Sequence, residues 1–140
     1  MKVMIDTNII ISAALNPQGT VAMAFLKALT PPYQPVICDY IVDELRRKFR
    51  EKFPKRLTEL EAFLFNALRV IRIIPTPEEE QSDEKKIRDI KDRPILRAAI
   101  KGNVTYLLTG DKDFLESEIK NPIIISANDF LTLLDNNSKG

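Results

Sequence analysis

The sequence predicts an α/β fold with a mostly parallel central sheet and helices on both of its faces. Short runs of β-branched and other apolar residues recur along the chain and suit strands buried on both sides. Stretches with helical spacing separate these runs, and this alternation leads to parallel pairing through right-handed crossovers. With 140 residues and only four glycines, the chain has the size of one domain and little room for a linker. We expect residues 1–135 to form a single domain and 136–140 a disordered tail.

The first predicted elements are a strand and two helices. Residues 2–5 form a dense apolar strand, and the polar residues that follow it suit a helix start. Residues 8–15 are apolar enough for a helix buried on most sides, and the turn composition of 16–19 ends it. Thr20 suits the cap of a second helix over 21–29, whose apolar residues share one face.

A second strand over 36–38 and a helix over 39–50 come next, after a proline-rich loop. The apolar stripe of this helix consists of Ile41, Val42, Leu45 and Phe49. At 100° per residue, Asp43 falls opposite Leu45 and is expected in solvent, whereas Glu44 falls at the border of the stripe. Glu44 is therefore the acid of this helix that can reach over the edge of the core.

The second half repeats the pattern. Thr58 and Glu61 form a predicted capping box for a helix that continues to about Val70, and residues 72–74 form a strand. The acidic run 78–84 is expected to be an exposed loop. The remaining predicted elements are a helix with Pro94 in its first turn, closed by Gly102-Asn103, a strand over 104–109, a short helical turn after Gly110, a strand over 123–125 and a helix that Ser126 starts.

The composition excludes several kinds of chemistry. The chain has no histidine and one cysteine, Cys38, so it has no Ser-His-Asp triad, no internal disulfide and no thiolate cluster. The net charge of +1 argues neither for nor against a nucleic-acid partner. The uncharged run 9–26 contains turn residues and is predicted to be two helices rather than a membrane span. No secretory signal pattern is found, so we expect a cytoplasmic protein without a membrane partner.

Acidic side chains are predicted to meet at the carboxyl edge of the sheet. Asp6 follows the first strand and Asp111 follows the fourth, and parallel strands end at one edge. Glu44 lies one turn into the helix after the second strand, and Asp92 lies just ahead of, or at, the N-cap of the helix before the fourth. Each can reach the same edge.

Carboxylates gathered in this way need a positive charge. Two of them about 4 Å apart repel by roughly 4 kcal/mol at an effective dielectric constant near 20. Oxygen ligands without histidine or cysteine select hard ions, Mg²⁺ or Mn²⁺. Such an ion activates water and stabilises in-line attack at phosphorus, a reaction that needs no histidine.

These residues resemble the PIN-domain family over residues 2 to about 134. The resemblance rests on Asp6-Thr7-Asn8 after a strand, a helical Glu44-Leu45, Asp89-x-x-Asp92 before Ile-Leu-x-Ala-Ala, and Leu108-Thr109-Gly110-Asp111-x-Asp113-Phe114. The chain is most similar to the single-domain ribonucleases that act as toxins in toxin–antitoxin pairs. The resemblance implies a three-layer α/β/α sandwich, Mg²⁺- or Mn²⁺-dependent cleavage of RNA, a homodimer, and an antitoxin as partner in many members.

The resemblance also implies roles for individual residues. Asp6, Glu44, Asp92 and Asp111 correspond to the catalytic acids. Asp6, Asp92 and Asp111 would hold the metal, and Glu44 would hold or orient the attacking water. The accessory residues are Thr7, Asn8, Thr109 and Asp113. Asp89 is the least secure match, because Ile90, Lys91 and Arg93 stand where the family is often acidic, and this leaves one or two metal ions open.

A basic run that begins in the third helix could contact phosphates, and it consists of Arg46, Arg47, Lys48, Arg50, Lys52, Lys55 and Arg56. The candidate RNA-binding residues are the first four, Arg46, Arg47, Lys48 and Arg50. A solvated helix end, favoured by the helix dipole, is the alternative interpretation. Two alternatives to the nuclease also remain at this point. One is a non-catalytic PIN-fold module that binds RNA or protein, and the other is a phospho-accepting receiver-type domain, which the single early acid disfavours.

Overall fold

The computed structural model describes residues 1–134, so the predicted tail 136–140 lies outside the described residues. Within residues 1–134 the elements follow in the order β1 (Lys2–Ile5), α1 (Thr7–Leu15), α2 (Thr20–Ala28), β2 (Gln34–Cys38), α3 (Asp39–Lys52), α4 (Leu57–Ala67), β3 (Arg72–Ile74), α5 (Arg93–Lys101), β4 (Tyr106–Leu108), α6 (Lys112–Leu115), β5 (Ile123–Ile125) and α7 (Ala127–Thr132). Short 3-10 helices lie at Pro54–Arg56, Ser82–Lys86 and Ile90–Asp92. This alternation confirms the predicted α/β class.

The strands form one parallel sheet in the order β3-β2-β1-β4-β5. β1 is central, and its Met4 is in register with Val36 of β2 and Leu107 of β4. The chain runs outward from β1 to β3 on one side and then crosses back to β4 on the other. The direction of the connections therefore reverses between β1 and β4, and such a switch point opens a crevice at the carboxyl ends of the strands.

Helices flank the sheet. α1 packs against α2, α2 against α7, and α3 contacts α1, α4 and α5. Right-handed crossovers put the helices between β1 and β3 on one face, and the reversal of direction puts α5 and α6 on the other. The core lies between these layers. Val3, Met4 and Ile5 of β1 are fully buried, as predicted for a strand covered on both faces, and so are Phe49 of α3 and Phe114 of α6.

Several predicted boundaries differ from the structure. β2 begins at Gln34, inside the predicted loop, and β4 is limited to Tyr106–Leu108 rather than 104–109. The N-cap of α2 is Gly19 and not Thr20. The predicted capping box of Thr58 with Glu61 is wrong, because α4 begins at Leu57 and no side chain caps it. The preceding 3-10 helix, Pro54–Arg56, already turns the chain into α4 and makes a separate cap unnecessary.

The acidic run 78–84 was expected to be exposed throughout, and this is wrong for Glu84. Only 2% of its surface is accessible, and the guanidinium of Arg97 on α5 donates to both of its oxygens over 2.8 and 2.9 Å. Glu84 Oε2 also accepts the backbone N–H of Gln81 over 2.9 Å. The ion pair with Arg97 lowers the pKa of Glu84, with the backbone hydrogen bond contributing in the same direction. Glu84 therefore attaches this loop to α5, and it is not a solvated charge.

The apolar stretch near the N-terminus forms two helices, as predicted. Among the described residues, no single helix has the length and apolar character of a membrane span. The pair α1 and α2 meets both criteria only when the two helices are counted together, and their axes are bent by 119° with respect to each other.

Candidate active site

A cleft of ≈ 270 Å³ lies at the carboxyl edge of the sheet. It forms where β1 and β4 end, at the switch point of the topology. All four acids predicted for the catalytic cluster line it. The complete lining is Asp6, Thr7, Asn8, Glu44, Arg47, Lys48, Glu51, Lys52, Asp89, Lys91, Asp92 and Asp111. The fold thus brings together four predicted acids that stand on four separate segments of the chain.

Asp6 is held rigidly at the base of the cleft. It follows β1 directly and caps α1, because its Oδ1 accepts the N–H of Thr7 over 2.8 Å. Its Oδ2 accepts the hydroxyl of Thr109 over 2.7 Å. Burial raises the pKa of Asp6 to about 6; the two hydrogen bonds oppose this shift, and the nearby charges of Glu44 and Asp111 add to it.

Thr109 joins Asp6 to the segment that follows β4. Its side chain is completely buried, and its hydroxyl oxygen accepts the backbone N–H of Asp111 over 3.0 Å while it donates to Asp6. Asp111 in turn caps α6, since its Oδ1 accepts the N–H of Asp113 over 2.9 Å. The positions of Asp6 and Asp111 are therefore coupled through one threonine hydroxyl.

Glu44 reaches the cleft from α3. It is 8% exposed, because it lies at the border of the apolar stripe as predicted, and the hydroxyl of the buried Thr7 donates to its Oε1. Its other oxygen lies 3.9 Å from the guanidinium of Arg47, one turn further along α3. Thr7 thus fixes one oxygen of Glu44 and leaves the other directed towards the cationic side of the cleft.

Hydrogen bonds hold the carboxylate of Asp92 in the cleft only in part. It occupies the N-cap position of α5, yet its side chain makes no capping hydrogen bond, and its buried Oδ2 has no hydrogen-bond partner. Burial raises the pKa of Asp92, and so do a hydrogen bond shared with Asp111 and the charges of Asp111, Asp6 and Asp89. An unpartnered buried carboxylate oxygen among other acids lacks a cation. The all-oxygen donor set fits a hard divalent ion.

The carboxylate oxygens that lie close enough together to share one ion differ from the predicted metal ligands. Oxygens of Asp89, Asp92 and Asp113 lie within 4.8 Å of one another. In the described part of the chain, no set containing Asp6 with Asp92 and Asp111 meets that distance. Both oxygens of Asp6 and one oxygen of Asp111 accept hydrogen bonds from protein groups. Asp92 is common to both sets.

Asp113 and Asp89 lie at the outer side of this cluster. The guanidinium of Arg88 donates to Asp113 Oδ1 over 2.7 and 3.2 Å. Asp89 is exposed, and its Oδ1 accepts the N–H of Lys91 over 3.0 Å, which fixes the 3-10 helix Ile90–Asp92. Asp113, predicted as an accessory acid, is therefore partly neutralised by Arg88 and does not line the cleft.

Basic side chains form the rim of the cleft. Arg47 and Lys48 of the predicted phosphate-binding group line it, together with Lys52 and Lys91. Lys48 also donates to the side-chain oxygen of Asn8 over 3.2 Å. The predicted group is split, because Arg46 and Arg50 point to a different groove.

Sequence reasoning did not assign Lys91 to the site, and it placed Lys52 only in the longer basic run that could contact phosphates. A signal for Lys52 exists in the spacing of α3: residues 44, 47, 48, 51 and 52 follow i, i+3, i+4, i+7, i+8 and so share one face. Lys91 carries no such signal, because the short 3-10 helix Ile90–Asp92 has no apolar periodicity that orients it.

A further contact connects the two sides of the cleft. The hydroxyl of Tyr40, one turn before Glu44 on α3, donates to the carbonyl oxygen of Lys91 over 2.6 Å. Tyr40 thus attaches the segment that carries Asp89 and Asp92 to the helix that carries Glu44.

The fold and the site together define an α/β protein with a carboxylate cleft at the switch point of a parallel sheet. The chain belongs to the PIN domain family: the family model for the PIN domain matches residues 2–113, a range that contains every acid described above. No curated protein matches the chain by sequence.

Solved structures share the fold at low sequence identity. VapBC2 from Rickettsia felis, bound to a DNA fragment from its promoter, matches with a TM-score of 0.70 and 19% identity, over 90% of this chain and 98% of that one. DNA-bound VapBC from Salmonella typhimurium matches with a TM-score of 0.67 and 15% identity, over 91% of this chain and 98% of that one. FitAB bound to the IR36 DNA fragment matches with a TM-score of 0.63 and 19% identity, over 96% of this chain and 99% of that one.

Proposed function

We propose that this chain is a divalent-metal-dependent endoribonuclease and the toxin of a toxin–antitoxin pair. One observation carries the proposal: Asp6, Glu44, Asp92 and Asp111 converge on a single cleft from four separate segments of the chain. Carboxylates in one cleft destabilise the metal-free fold through desolvation and mutual repulsion. An arrangement with this cost is typical of functional sites. Membership of the PIN domain family supports a nuclease.

The acids are proposed to hold Mg²⁺ or Mn²⁺ through Asp92, Asp6 and Asp111. Asp92 contributes the oxygen that has no partner, while the caps and Thr109 hold the other two carboxylates in place. When bound, a hard divalent ion lowers the pKa of water and neutralises charge that develops on a phosphate. Asp89 and Asp113, which lie close to Asp92, are the residues available to a second ion.

Glu44 is proposed to orient the water that attacks phosphorus. The Thr7 hydroxyl holds one of its oxygens, so the second has a defined direction. Arg47, 3.9 Å from that second oxygen, keeps positive charge beside it. A carboxylate held in this way accepts a hydrogen bond from water, and it can take the water proton as the bond from the water oxygen to phosphorus forms. The P–O bond to the leaving oxygen breaks in the same step, and that oxygen takes a proton from solvent.

The basic rim is proposed to bind the phosphates that flank the bond to be cleaved. Arg47, Lys48 and Lys52 lie on the same face of α3 as Glu44, and Lys91 faces them from the 3-10 helix. This arrangement places cations around an acidic centre and so attracts a polyanion to groups that would otherwise repel it.

The partners proposed are RNA as substrate, an antitoxin protein, and a second copy of the chain in a homodimer. The antitoxin is supported by the fold shared with VapBC and FitAB, which are toxin–antitoxin pairs. Action in the cytoplasm, where RNA is available, belongs to the same proposal.

The direct test measures cleavage of a fluorescent single-stranded RNA with Mg²⁺, Mn²⁺, Ca²⁺ or EDTA. We expect cleavage with Mg²⁺ or Mn²⁺ and its loss in Asp6→Asn. Asparagine caps a helix as well as aspartate does, so the variant keeps the fold. The matched control is Asp129→Asn, which removes an exposed carboxylate on α7 and should cleave like the wild type.

A thermal melting scan with the same ions accompanies this test, because an ion that binds only the folded state raises the melting temperature. Retained cleavage in Asp6→Asn would remove Asp6 from the mechanism. RNA binding in EDTA without any cleavage in Mn²⁺ would instead favour a non-catalytic PIN-fold module.

A further inference from the structure

A second groove lies beside the acidic cleft, on the neighbouring side of α3. Its volume is ≈ 530 Å³, and its lining consists of Tyr40, Asp43, Glu44, Arg46, Arg47 and Arg50. Glu44 and Arg47 also line the acidic cleft. The two depressions therefore adjoin each other along one helix, with Glu44 and Arg47 at their common border.

The helical period explains this division. Residues 44, 48, 51 and 52 face the cleft, whereas 40, 43 and 50 follow i, i+3, i+10 and form an adjacent stripe. Residue 47 lies between the two faces, so Arg47 lines both depressions. Arg46 lies at the outer edge of that stripe. The apolar residues of α3 point away from both surfaces and into the core. One helix thus presents a face of mixed charge to the acidic cleft and an arginine-rich face beside it.

The arginines of this groove are available for a ligand. Within residues 1–134, neither Arg46 nor Arg50 forms an ion pair. The ion pairs of Arg47 with Glu44 and Glu51 are both long, at 3.9 Å. A guanidinium donates two parallel hydrogen bonds to phosphate oxygens, and this geometry suits a phosphodiester backbone.

Tyr40 adds an aromatic surface to the groove. It is partly exposed, and its hydroxyl is fixed by the hydrogen bond to the carbonyl of Lys91. The ring is therefore rigid and costs little conformational entropy to use. Positive grooves that contain an aromatic ring are the common mode of binding single-stranded nucleic acid, because an unstacked base can pack on the ring.

We propose that this groove binds the single-stranded RNA flank on one side of the cleaved bond, with Arg46 and Arg50 on its phosphates and Tyr40 against a base. The inference rests on the proposed nuclease function and names its substrate class. It follows that RNA extended across the groove is a better substrate than a short oligonucleotide. Duplex RNA is excluded from this groove, since its bases are stacked inside the helix and do not reach the Tyr40 ring.

The test compares kcat/KM for a twelve-nucleotide RNA and for truncated versions that lack either the 5′ or the 3′ flank. For the wild type, we expect removal of one flank to lower kcat/KM about tenfold and removal of the other to have a small effect. In Arg46→Gln/Arg50→Gln, KM for the full RNA should rise about tenfold, and the penalty for truncation should disappear. The salt dependence of binding should also weaken, by a slope of about 1.4 for two phosphate contacts to a single strand.

The matched control is Arg69→Gln/Arg72→Gln, which removes one exposed arginine between α4 and β3 and another at the start of β3, and changes the net charge equally. The control should match the wild type in KM for the full RNA, in the penalty for truncation and in the salt dependence of binding. If Arg46→Gln/Arg50→Gln also behaves like the wild type, or if both double variants weaken RNA binding equally, the groove is not the binding site.

The proposed function and this inference fail in different ways. If no variant cleaves RNA, the nuclease is wrong, and fluorescence anisotropy with the same labelled RNA in EDTA tests the groove alone. Binding that weakens only in Arg46→Gln/Arg50→Gln supports the groove in that case. Equal binding by all three proteins overturns it.

Discussion

The hydroxyl of Thr109 donates a 2.7 Å hydrogen bond to Oδ2 of Asp6, although 103 residues separate them in the chain. This bond joins the ends of the two strands at the switch point, β1 and β4. It also lowers the pKa of Asp6, against the larger upward effect of burial.

Thr109→Val tests this relationship, since valine has nearly the same shape but no hydroxyl. The loss leaves Asp6 Oδ2 and the Asp111 N–H without a partner, and we expect a loss of about 1–3 kcal/mol in the free energy of unfolding. The pKa of Asp6 in the metal-free protein should also rise further, because the hydrogen bond that lowers it is lost. Denaturant unfolding in EDTA at several pH values measures both effects. An unchanged free energy of unfolding with an unchanged pH dependence would contradict the role of Thr109.

The metal-free protein should lose stability as the pH rises from 5 to 7.5. The pKa of Asp6 is raised from 3.8 to about 6, so the folded state keeps a proton that the unfolded state has released. Stability then falls as the pH rises from about 4 to above 6, by up to about 3 kcal/mol in total for Asp6, and about half of that loss falls above pH 5. The raised pKa of Asp92 acts in the same direction. Glu84 does not interfere, because its lowered pKa confines its effect to acidic pH below about 4.5.

Unfolding in EDTA at several pH values measures this slope, and Asp6→Asn should flatten it. Stability that rises from pH 5 to 7.5 in the metal-free wild type would contradict the raised pKa of Asp6.

The buried pair of Glu84 and Arg97 should contribute strongly to stability. Arg97→Met leaves the carboxylate of Glu84 buried without a cation, and we expect a loss of about 3–5 kcal/mol in the free energy of unfolding. Arg56→Met is the matched control, because Arg56 forms an exposed pair with Glu59 that should contribute less than about 1 kcal/mol. Chemical denaturation compares the two variants. Equal, small losses would show that Glu84 does not depend on Arg97.

Tyr40→Phe should lower kcat without unfolding the protein. The variant loses the 2.6 Å hydrogen bond to Lys91, which attaches the segment with Asp92 to α3, and keeps the ring in the groove. We expect kcat to fall severalfold with little change in KM, because the acids proposed to be catalytic lose their relative position while the proposed phosphate contacts remain. Steady-state cleavage kinetics and a melting curve separate the effects. A rise in KM alone would assign Tyr40 to binding and not to positioning.

The fold class was predictable because each strand is a nearly continuous apolar run and each run is followed by helical spacing. The strand order was not, since no residue pattern specifies which strands pair; it became clear only from the register of β1 with β2 and β4. The predicted helix caps were wrong where the N-cap residue makes no side-chain hydrogen bond to the helix, as at Gly19 and Arg56.

The convergence of the acids was predictable from parallel strands that end at one edge, but their fine geometry was not. Glu44 was distinguished from Asp43 by helical phase alone, and the structure buries the first and exposes the second. Arg88 and Arg97 were not assigned to any acid, because partners distant in sequence leave no local pattern. The proximity of Asp89 and Asp113 to Asp92 depends on how a short 3-10 helix and a helix cap are oriented, which composition does not determine.

Mn²⁺ binding to Asp92→Asn, measured by electron paramagnetic resonance, tests most directly whether the cleft holds a divalent ion. The wild type and Asp129→Asn should bind Mn²⁺ alike, and Asp92→Asn should bind at least tenfold more weakly, because it replaces the unpartnered carboxylate oxygen with a neutral group. Equal Mn²⁺ affinity for all three proteins, or no Mn²⁺ bound by the wild type, would contradict a metal site built on these acids.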